Sequence, residues 1–252
     1  MSNSMVLVRG AIHDGTNTMA SYTGSGVVFA HDDISTLILT AGHVCEIPER
    51  VMNSARERSK EPSKVKQLLS VVDRQEREYN AMAYVIATEF DACLLQVPLM
   101  DIKEIEFSVT PPKLGDKIFN ISAPYGHYSK DLAVMFDGYY SGNSGLGGRN
   151  VDVYSITAAG GSSGSPLLNS KGEIVGVVSA IRSGFHHMTI SPTWEQLKQF
   201  ITADTVVKAK QFMTHREYAE LVGKLMGQKE LEGGWDKWPM FEEESEKSEV
   251  FQ

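Results

Sequence analysis

The run Gly160-Gly161-Ser162-Ser163-Gly164-Ser165-Pro166-Leu167-Leu168-Asn169 sets a serine in a tight glycine turn just ahead of an apolar segment. Glycine opens backbone conformations closed to other residues. Such a turn lets a hydroxyl project into a cleft while neighbouring backbone N–H groups point at the same space. A nucleophile for acyl transfer and its oxyanion hole need that geometry. Taken alone, the run reads equally well as a Gly/Ser loop without chemistry, so the rest of the chain has to decide.

Two upstream segments decide it. Thr40-Ala41-Gly42-His43-Val44-Cys45 follows the apolar run Thr36-Leu37-Ile38-Leu39, and Phe90-Asp91-Ala92-Cys93-Leu94-Leu95-Gln96-Val97 puts a carboxylate at the head of another. A serine hydroxyl is a poor nucleophile at neutral pH. It needs a base within hydrogen-bond reach, and the base needs a partner that fixes its tautomer. In chain order the sequence offers His43, Asp91 and Ser163, each beside a strand-like segment. That order and these local words resemble the trypsin-like, chymotrypsin-fold serine peptidases, most closely the HtrA-type and glutamyl-endopeptidase-like branch. Thr23-Gly24-Ser25-Gly26-Val27-Val28 resembles the GSGV opening of HtrA-type domains. The stretch from Leu114-Gly115-Asp116 to Pro124-Tyr125-Gly126 resembles their segment ahead of the second barrel. The likeness covers roughly residues 20 to 200.

The resemblance implies roles. His43 is the general base, Asp91 orients it, Ser163 is the nucleophile, and the N–H groups of Gly161 and Ser163 form the oxyanion hole. Thr157 falls at the base of the primary pocket, and Ser179, Ala180 and Ile181 form an edge strand for the substrate backbone. No aspartate stands at the pocket base to receive Lys or Arg. Val178 occupies the place of the histidine of glutamyl endopeptidases, and Ile181 that of a trypsin glycine. These replacements lead to an expected preference for small or medium aliphatic P1 residues, with His186 or His187 on the far wall as the polar alternative. Ser165 replaces the more usual second glycine, an exchange the glutamyl-endopeptidase branch tolerates. Ser162 stands where zymogen-activated trypsins carry an aspartate, and the chain lacks an Ile-Val-Gly-Gly start, so that activation switch is not expected.

The fold class follows from punctuation. Val27-Val28-Phe29-Ala30, Leu37-Ile38-Leu39, Leu69-Ser70-Val71-Val72, Tyr84-Val85-Ile86-Ala87, Cys93-Leu94-Leu95-Gln96-Val97, Ile118-Phe119-Asn120-Ile121, Ile174-Val175-Gly176-Val177-Val178 and Met188-Thr189-Ile190 read as short strands between turn signals. Such a pattern argues for an all-β sandwich or barrel. The resemblance selects two six-stranded Greek-key β-barrels with the active site between them, the first about 5–100 and the second about 112–190. A closing helix over 192–201 is expected, with Trp194, Leu197 and Ile201 on one face, so the peptidase domain spans 1–201. Residues 202–232 read as a helical extension, with Thr214 and Glu217 as a capping box. Residues 233–252 read as an acidic flexible tail. Its Trp235, Trp238 and Phe241 offer a docking motif as the less favoured reading, and the stretch after the closing helix is too short for a PDZ domain. Residues 48–66, rich in Arg, Lys, Glu and Ser, read as a solvated helix or loop beside His43, or as a substrate-facing flap.

Composition bounds the partners. The chain has 252 residues, 42% hydrophobic, enough for a sizeable core, and a net charge of −8 without a basic block, which argues against nucleic acid. Cys45 and Cys93 are the only cysteines and read as buried thiols rather than a disulfide framework; scarce cysteine points to a reducing compartment. Neither a signal-peptide core nor a membrane-spanning stretch is visible, so a cytoplasmic protein off the membrane is expected. The histidines lack metal-ligand spacing such as HExxH, and no cofactor is expected. His13, His31, His127 and His215 read as surface or turn residues. Gly142-Asn143-Ser144-Gly145 also looks like a nucleophile loop, but it lacks the Pro-Leu-Leu exit and reads as a flexible surface loop. The expected function is a serine endopeptidase acting on polypeptides; the alternative is a silent module that binds extended peptides. An esterase on an α/β-hydrolase fold would show the order Ser, Asp, His and a GxSxG elbow, the reverse of what the chain offers.

Overall fold

The computed structural model describes residues 2–146, 148–182 and 185–202. The expected helix at Thr214 and the acidic tail lie outside the described residues.

The first lobe is a closed barrel of β1 (Met5–His13), β2 (Thr18–His31), β3 (Ser35–Ala41), β4 (Lys66–Val72), β5 (Glu78–Ala87) and β6 (Ala92–Pro98), in the order β1-β2-β3-β6-β5-β4. Side chains alternate across a strand, and here both faces are covered. Val6, Val8, Ile38, Cys93, Leu95 and Val97 fill one cluster. Met5, Leu7, Leu37, Leu39 and Leu94 pack instead with Ile121, Leu168, Ile174, Leu197 and Phe200. Burial on both faces explains why β3 and β6 read as unbroken apolar runs rather than alternating ones.

The second lobe is a sheet of seven strands: β7 (Lys117–Ser122), β8 (Val134–Leu146), β9 (Arg149–Tyr154), β10 (Pro166–Leu168), β11 (Ile174–Val177), β12 (Ala180–Arg182) and β13 (Phe185–Pro192). Their order is β11-β10-β7-β8-β9-β13-β12. The two edge strands β11 and β12 are separated in sequence only by Val178 and Ser179, so one continuous segment joins both ends and the sheet is rolled. This is the second barrel expected from the sequence, built with seven strands instead of six because that segment bends and is counted twice. The apolar runs read as strands all fall on strands, with Val178 one residue past β11.

Two expectations change. Residues 142–145 are not a loop: Gly142, Asn143 and Ser144 pair with Val153, Asp152 and Val151 in a β8–β9 ribbon. Exposed and half-buried residues alternate along β8, but over 141–145 they are Ser, Gly, Asn, Ser and Gly, so no hydrophobic alternation marks the stretch. The helix expected within 48–66 is α2 (Glu49–Arg58), mostly exposed, with Met52 and Ala55 buried against Ile12 and Val65. His13 and His31 are not surface residues. His13 is 9% exposed and its Nδ1 accepts from Gly15 N, while His31 lies between Thr36 Oγ1 (2.9 Å) and the Ile102 carbonyl (2.7 Å).

The cysteines are also corrected. Cys45 and Cys93 form a disulfide, Cα–Cα 6.5 Å, and are buried. A count of cysteines could not reveal this, yet the motifs could: each cysteine sits two residues after a member of the His43–Asp91 pair, so bringing that pair together brings the sulfurs together. Scarce cysteine therefore no longer argues for a reducing compartment, since the scarce pair is oxidised. The bridge closes a separation of 48 residues, which in the chain-entropy account is worth about 2–4 kcal/mol. Replacing both cysteines with alanine is expected to lower unfolding free energy by about that amount, read in urea unfolding as a lower midpoint with a larger m-value, because the unbridged denatured chain exposes more surface.

The closing helix α3 (Trp194–Thr202) starts in a reciprocal cap: Thr193 Oγ1 accepts from Gln196 N and Gln196 Oε1 accepts from Thr193 N. Its buried face is Trp194, Leu197, Phe200 and Ile201. Phe200 meets Phe90 edge-on at 5.9 Å, which fixes the residue preceding Asp91.

Candidate active site

Strand β3 runs directly into a single helical turn, α1 (Gly42–Cys45), that carries His43. A helix end leaves carbonyls to be satisfied. Tyr22 OH donates to Val44 O at 2.9 Å, and Gln67 Nε2 donates to Cys45 O at 2.9 Å and to Tyr22 OH at 2.7 Å. Gly10 makes room for this arrangement, because the Tyr22 ring occupies the space of a Cβ there. These residues fix the base from behind, and nothing in their local sequence marks them; only the pairing of β1 with β2 and β4 brings them together.

Asp91 sits in the turn between β5 and β6 with φ of 64°, a left-handed conformation unusual for a residue other than glycine. Its Oδ1 accepts from the His43 backbone N–H at 2.7 Å, and its Oδ2 lies 2.9 Å from His43 Nδ1. Ser179 Oγ also donates to Oδ2. Burial pushes this carboxyl up, but the His43 and Ser179 hydrogen bonds and the imidazole charge outweigh it and hold the group below the usual carboxylate range. The ionised form of Asp91 is therefore favoured.

Ser163 lies between β9 and β10. Its carbonyl accepts from Ser25 N at 2.7 Å, and a Cβ at Gly24 would sit 2.8 Å from Val44 and 3.3 Å from Ser163 O. The serine loop and the histidine turn thus meet across Gly24, and only a glycine lets them. Among the described residues no hydrogen bond joins Ser163 Oγ to His43 Nε2; such contacts commonly close only with substrate. Gly161 has φ of 84°, and a Cβ there would lie 2.6 Å from Ala123 O. Its carbonyl accepts from Ser25 Oγ at 2.8 Å, and Gly160 O accepts from Tyr125 N at 2.6 Å. Among the described residues the N–H groups of Gly161 and Ser163 donate to no protein acceptor. Ser162 is fully buried and its hydroxyl meets Ser122, while Ser144 stands in a paired strand. Among the described residues no hydrogen bond joins either hydroxyl to a histidine or a carboxylate.

A family model described as trypsin-like peptidase domain matches residues 24–177. The chain belongs to the trypsin-like peptidases. Among curated proteins none matches it. Solved structures agree in fold. The Rv3671c protease from M. tuberculosis in its active form has a TM-score of 0.59 at 17% identity, over 85% of this chain and 83% of that one. Its inactive form gives 0.58 at 17% identity, over 79% and 88%. AlgW, an HtrA-type protease solved with a tripeptide, gives 0.59 at 17% identity, over 81% of this chain and 62% of that one.

In this trypsin-like peptidase the pocket residues named from sequence are placed as follows. Ala180 and Ile181 lie on β12, which pairs on one side with β13 and stands at the sheet edge. Ser179 N donates to Ile190 O, and its hydroxyl is the third member of the Asp91 cluster. That hydroxyl is the functional group the sequence reading missed, since nothing near Ser179 pointed back across the chain to Asp91. Thr157 Oγ1 is 2.8 Å from His187 Nδ1. Ile181 is half-buried against the cluster of Ile156, Tyr154 and Trp194.

Proposed function

We propose that this trypsin-like peptidase is an active serine endopeptidase. The observation that carries the reading is the two-point bond of Asp91 to His43, through the backbone N–H and the ring Nδ1. Asp91 holds the tautomer with Nε2 free to accept. His43 then takes the Ser163 proton as Oγ attacks the scissile carbonyl. Gly161 N–H and Ser163 N–H receive the oxyanion. The imidazolium gives its proton to the leaving amine, and water cleaves the acyl-enzyme by the same route. A substrate strand laid along β12 supplies the peptide register, a case of β-augmentation. The silent-module reading is less favoured, because the base, its orienting carboxylate and the nucleophile are all present.

A fluorophosphonate probe is expected to label Ser163 and neither Ser144 nor Ser162. Peptide mapping of the labelled protein checks this, and label on Ser144 would remove the assignment.

For P1 we favour small or medium aliphatic residues, with Ile181 narrowing the pocket and Thr157 closing its base without charge. A Lys or Arg side chain there would lose hydration without gaining a counter-charge. One observation favours a second reading. If the Thr157 hydroxyl donates to His187 Nδ1, the ring presents Nε2–H to a carboxylate or amide oxygen. A peptide library separates the two. Cleavage after Val, Ala, Ile or Leu, with about 1–3 kcal/mol of discrimination per mismatched group, supports the first; dominant cleavage after Glu or Gln supports the second.

A further inference from the structure

The two oxyanion donors belong to the peptide planes 160–161 and 162–163. In a planar trans peptide the C=O and N–H point in opposite directions, so whatever holds the carbonyl aims the N–H. Tyr125 N holds Gly160 O in the first plane. In the second, Ser162 O accepts from Ser165 N at 3.0 Å and from Ser165 Oγ at 2.7 Å. Ser165 Oγ in turn lies 2.8 Å from Asn120 Nδ2, whose remaining N–H goes to Pro166 O at 2.9 Å. Both side chains are fully buried. An amide nitrogen only donates, so the hydroxyl must accept from Asn120, and its own proton is left for Ser162 O.

We propose that Ser165, held by Asn120, is a positioning residue that sets the direction of the Ser163 N–H in the oxyanion hole. The proposal rests on the endopeptidase reading. A glycine at 165, the residue more usual in this family, would offer Ser162 O the backbone N–H alone. The serine adds a second donor, and hydrogen bonds in series polarise one another, which strengthens Ser163 N–H as a donor as well as aiming it. Among the described residues Asn120 Oδ1 has no hydrogen-bond partner, so the amide is held through its two N–H donors.

The test uses Ser165→Gly, Ser165→Ala and Ser165→Ala with Asn120→Ala. A full loss of one oxyanion donor costs about 10²–10³ in kcat; a donor left in place but loosely aimed is expected to cost about tenfold. KM should stay near its wild-type value. Affinity for a peptide aldehyde, whose adduct places an oxyanion in the hole, should fall in parallel with kcat. The double variant should lose little more kcat than Ser165→Ala, since the two residues act as one relay. A role in stability alone would lower the melting temperature and leave the aldehyde affinity intact. Unchanged kcat and aldehyde affinity in Ser165→Gly overturn the relay. A wild-type protein that hydrolyses nothing overturns the endopeptidase reading instead. In that event the Ser163 amide resonance decides the relay by itself: it should shift in Ser165→Gly, and an unmoved resonance rejects the proposal.

Discussion

Replacing Asp91 with asparagine is expected to lower kcat by on the order of 10⁴-fold and to leave the fold in place. The carboxylate accepts at every contact it makes, from His43 N, from His43 Nδ1 and from Ser179 Oγ. An asparagine can keep the backbone contact with its oxygen, so the turn survives. Its NH₂ then faces His43 Nδ1 as a donor, selects the tautomer with the proton on Nε2, and removes the base that Ser163 needs. The imidazolium formed in the transition state also loses its counter-charge. Steady-state kinetics on a peptide substrate checks the magnitude, and circular dichroism checks the fold. A rate within tenfold of wild type would mean that another carboxylate orients His43. Asp73, a candidate from the same lobe, is already engaged by Arg77, Tyr79 and the backbone of its own turn. Because Asp91 lies below the ordinary carboxylate range in the fold, its ionised form stabilises the native state above that range. The contribution disappears as pH falls through the folded value. Any stability gap between wild type and Asp91→Asn should therefore narrow below about pH 4.

The second large effect is expected at Gly164. Its φ is 87°, and a Cβ there would overlap Thr40 Oγ1 and Ser25 O and lie 3.0 Å from Ala41 N. Two of these atoms are backbone and cannot rotate away. The Thr40 Oγ1 to Ser25 O hydrogen bond at 2.7 Å would also be pushed apart. A left-handed residue other than glycine costs roughly 1–2 kcal/mol and overpacking a core a further 1–3 kcal/mol. Gly164→Ala should thus lose about 2–5 kcal/mol of stability. It should also lose activity, because the atoms it displaces connect the Ser163 loop to the strand that leads into His43. Gly145→Ala is the control: a Cβ there meets nothing within 4 Å, and its effect should stay within about 0.5 kcal/mol. Equal urea midpoints for the two variants would remove the argument.

Much of this was legible in the chain. His43, Asp91 and Ser163 sit in short motifs whose glycines and apolar neighbours are local, and local patterns survive in a linear sequence. The apolar runs marked the strands that bury a face. The helix at 194–202 announced itself by spacing, and its observed face includes Trp194, Leu197 and Ile201 as read. The β8–β9 ribbon was missed for the opposite reason: Gly142, Asn143, Ser144 and Gly145 carry no apolar side chain, so only backbone pairing defines that stretch, and pairing leaves no mark on side-chain order.

What the sequence determined by itself was the set of candidate reacting groups, their order and the all-β class, because each rests on residues within a few positions of one another. What only the tertiary structure decided was everything made by residues far apart in the chain. Ser25 joins Ala123, Gly161 and Ser163 across the lobes. Ser179 reaches Asp91, Cys45 is bonded to Cys93, and Asn120 stands behind Ser165. Each partner is an ordinary Ser, Asn or Cys whose purpose depends on its distance from another element. For Ser25 and Ser179 that distance is set when the two lobes pack together, for Asn120 by the pairing of β7 with β10, and for the cysteines by the approach of His43 to Asp91.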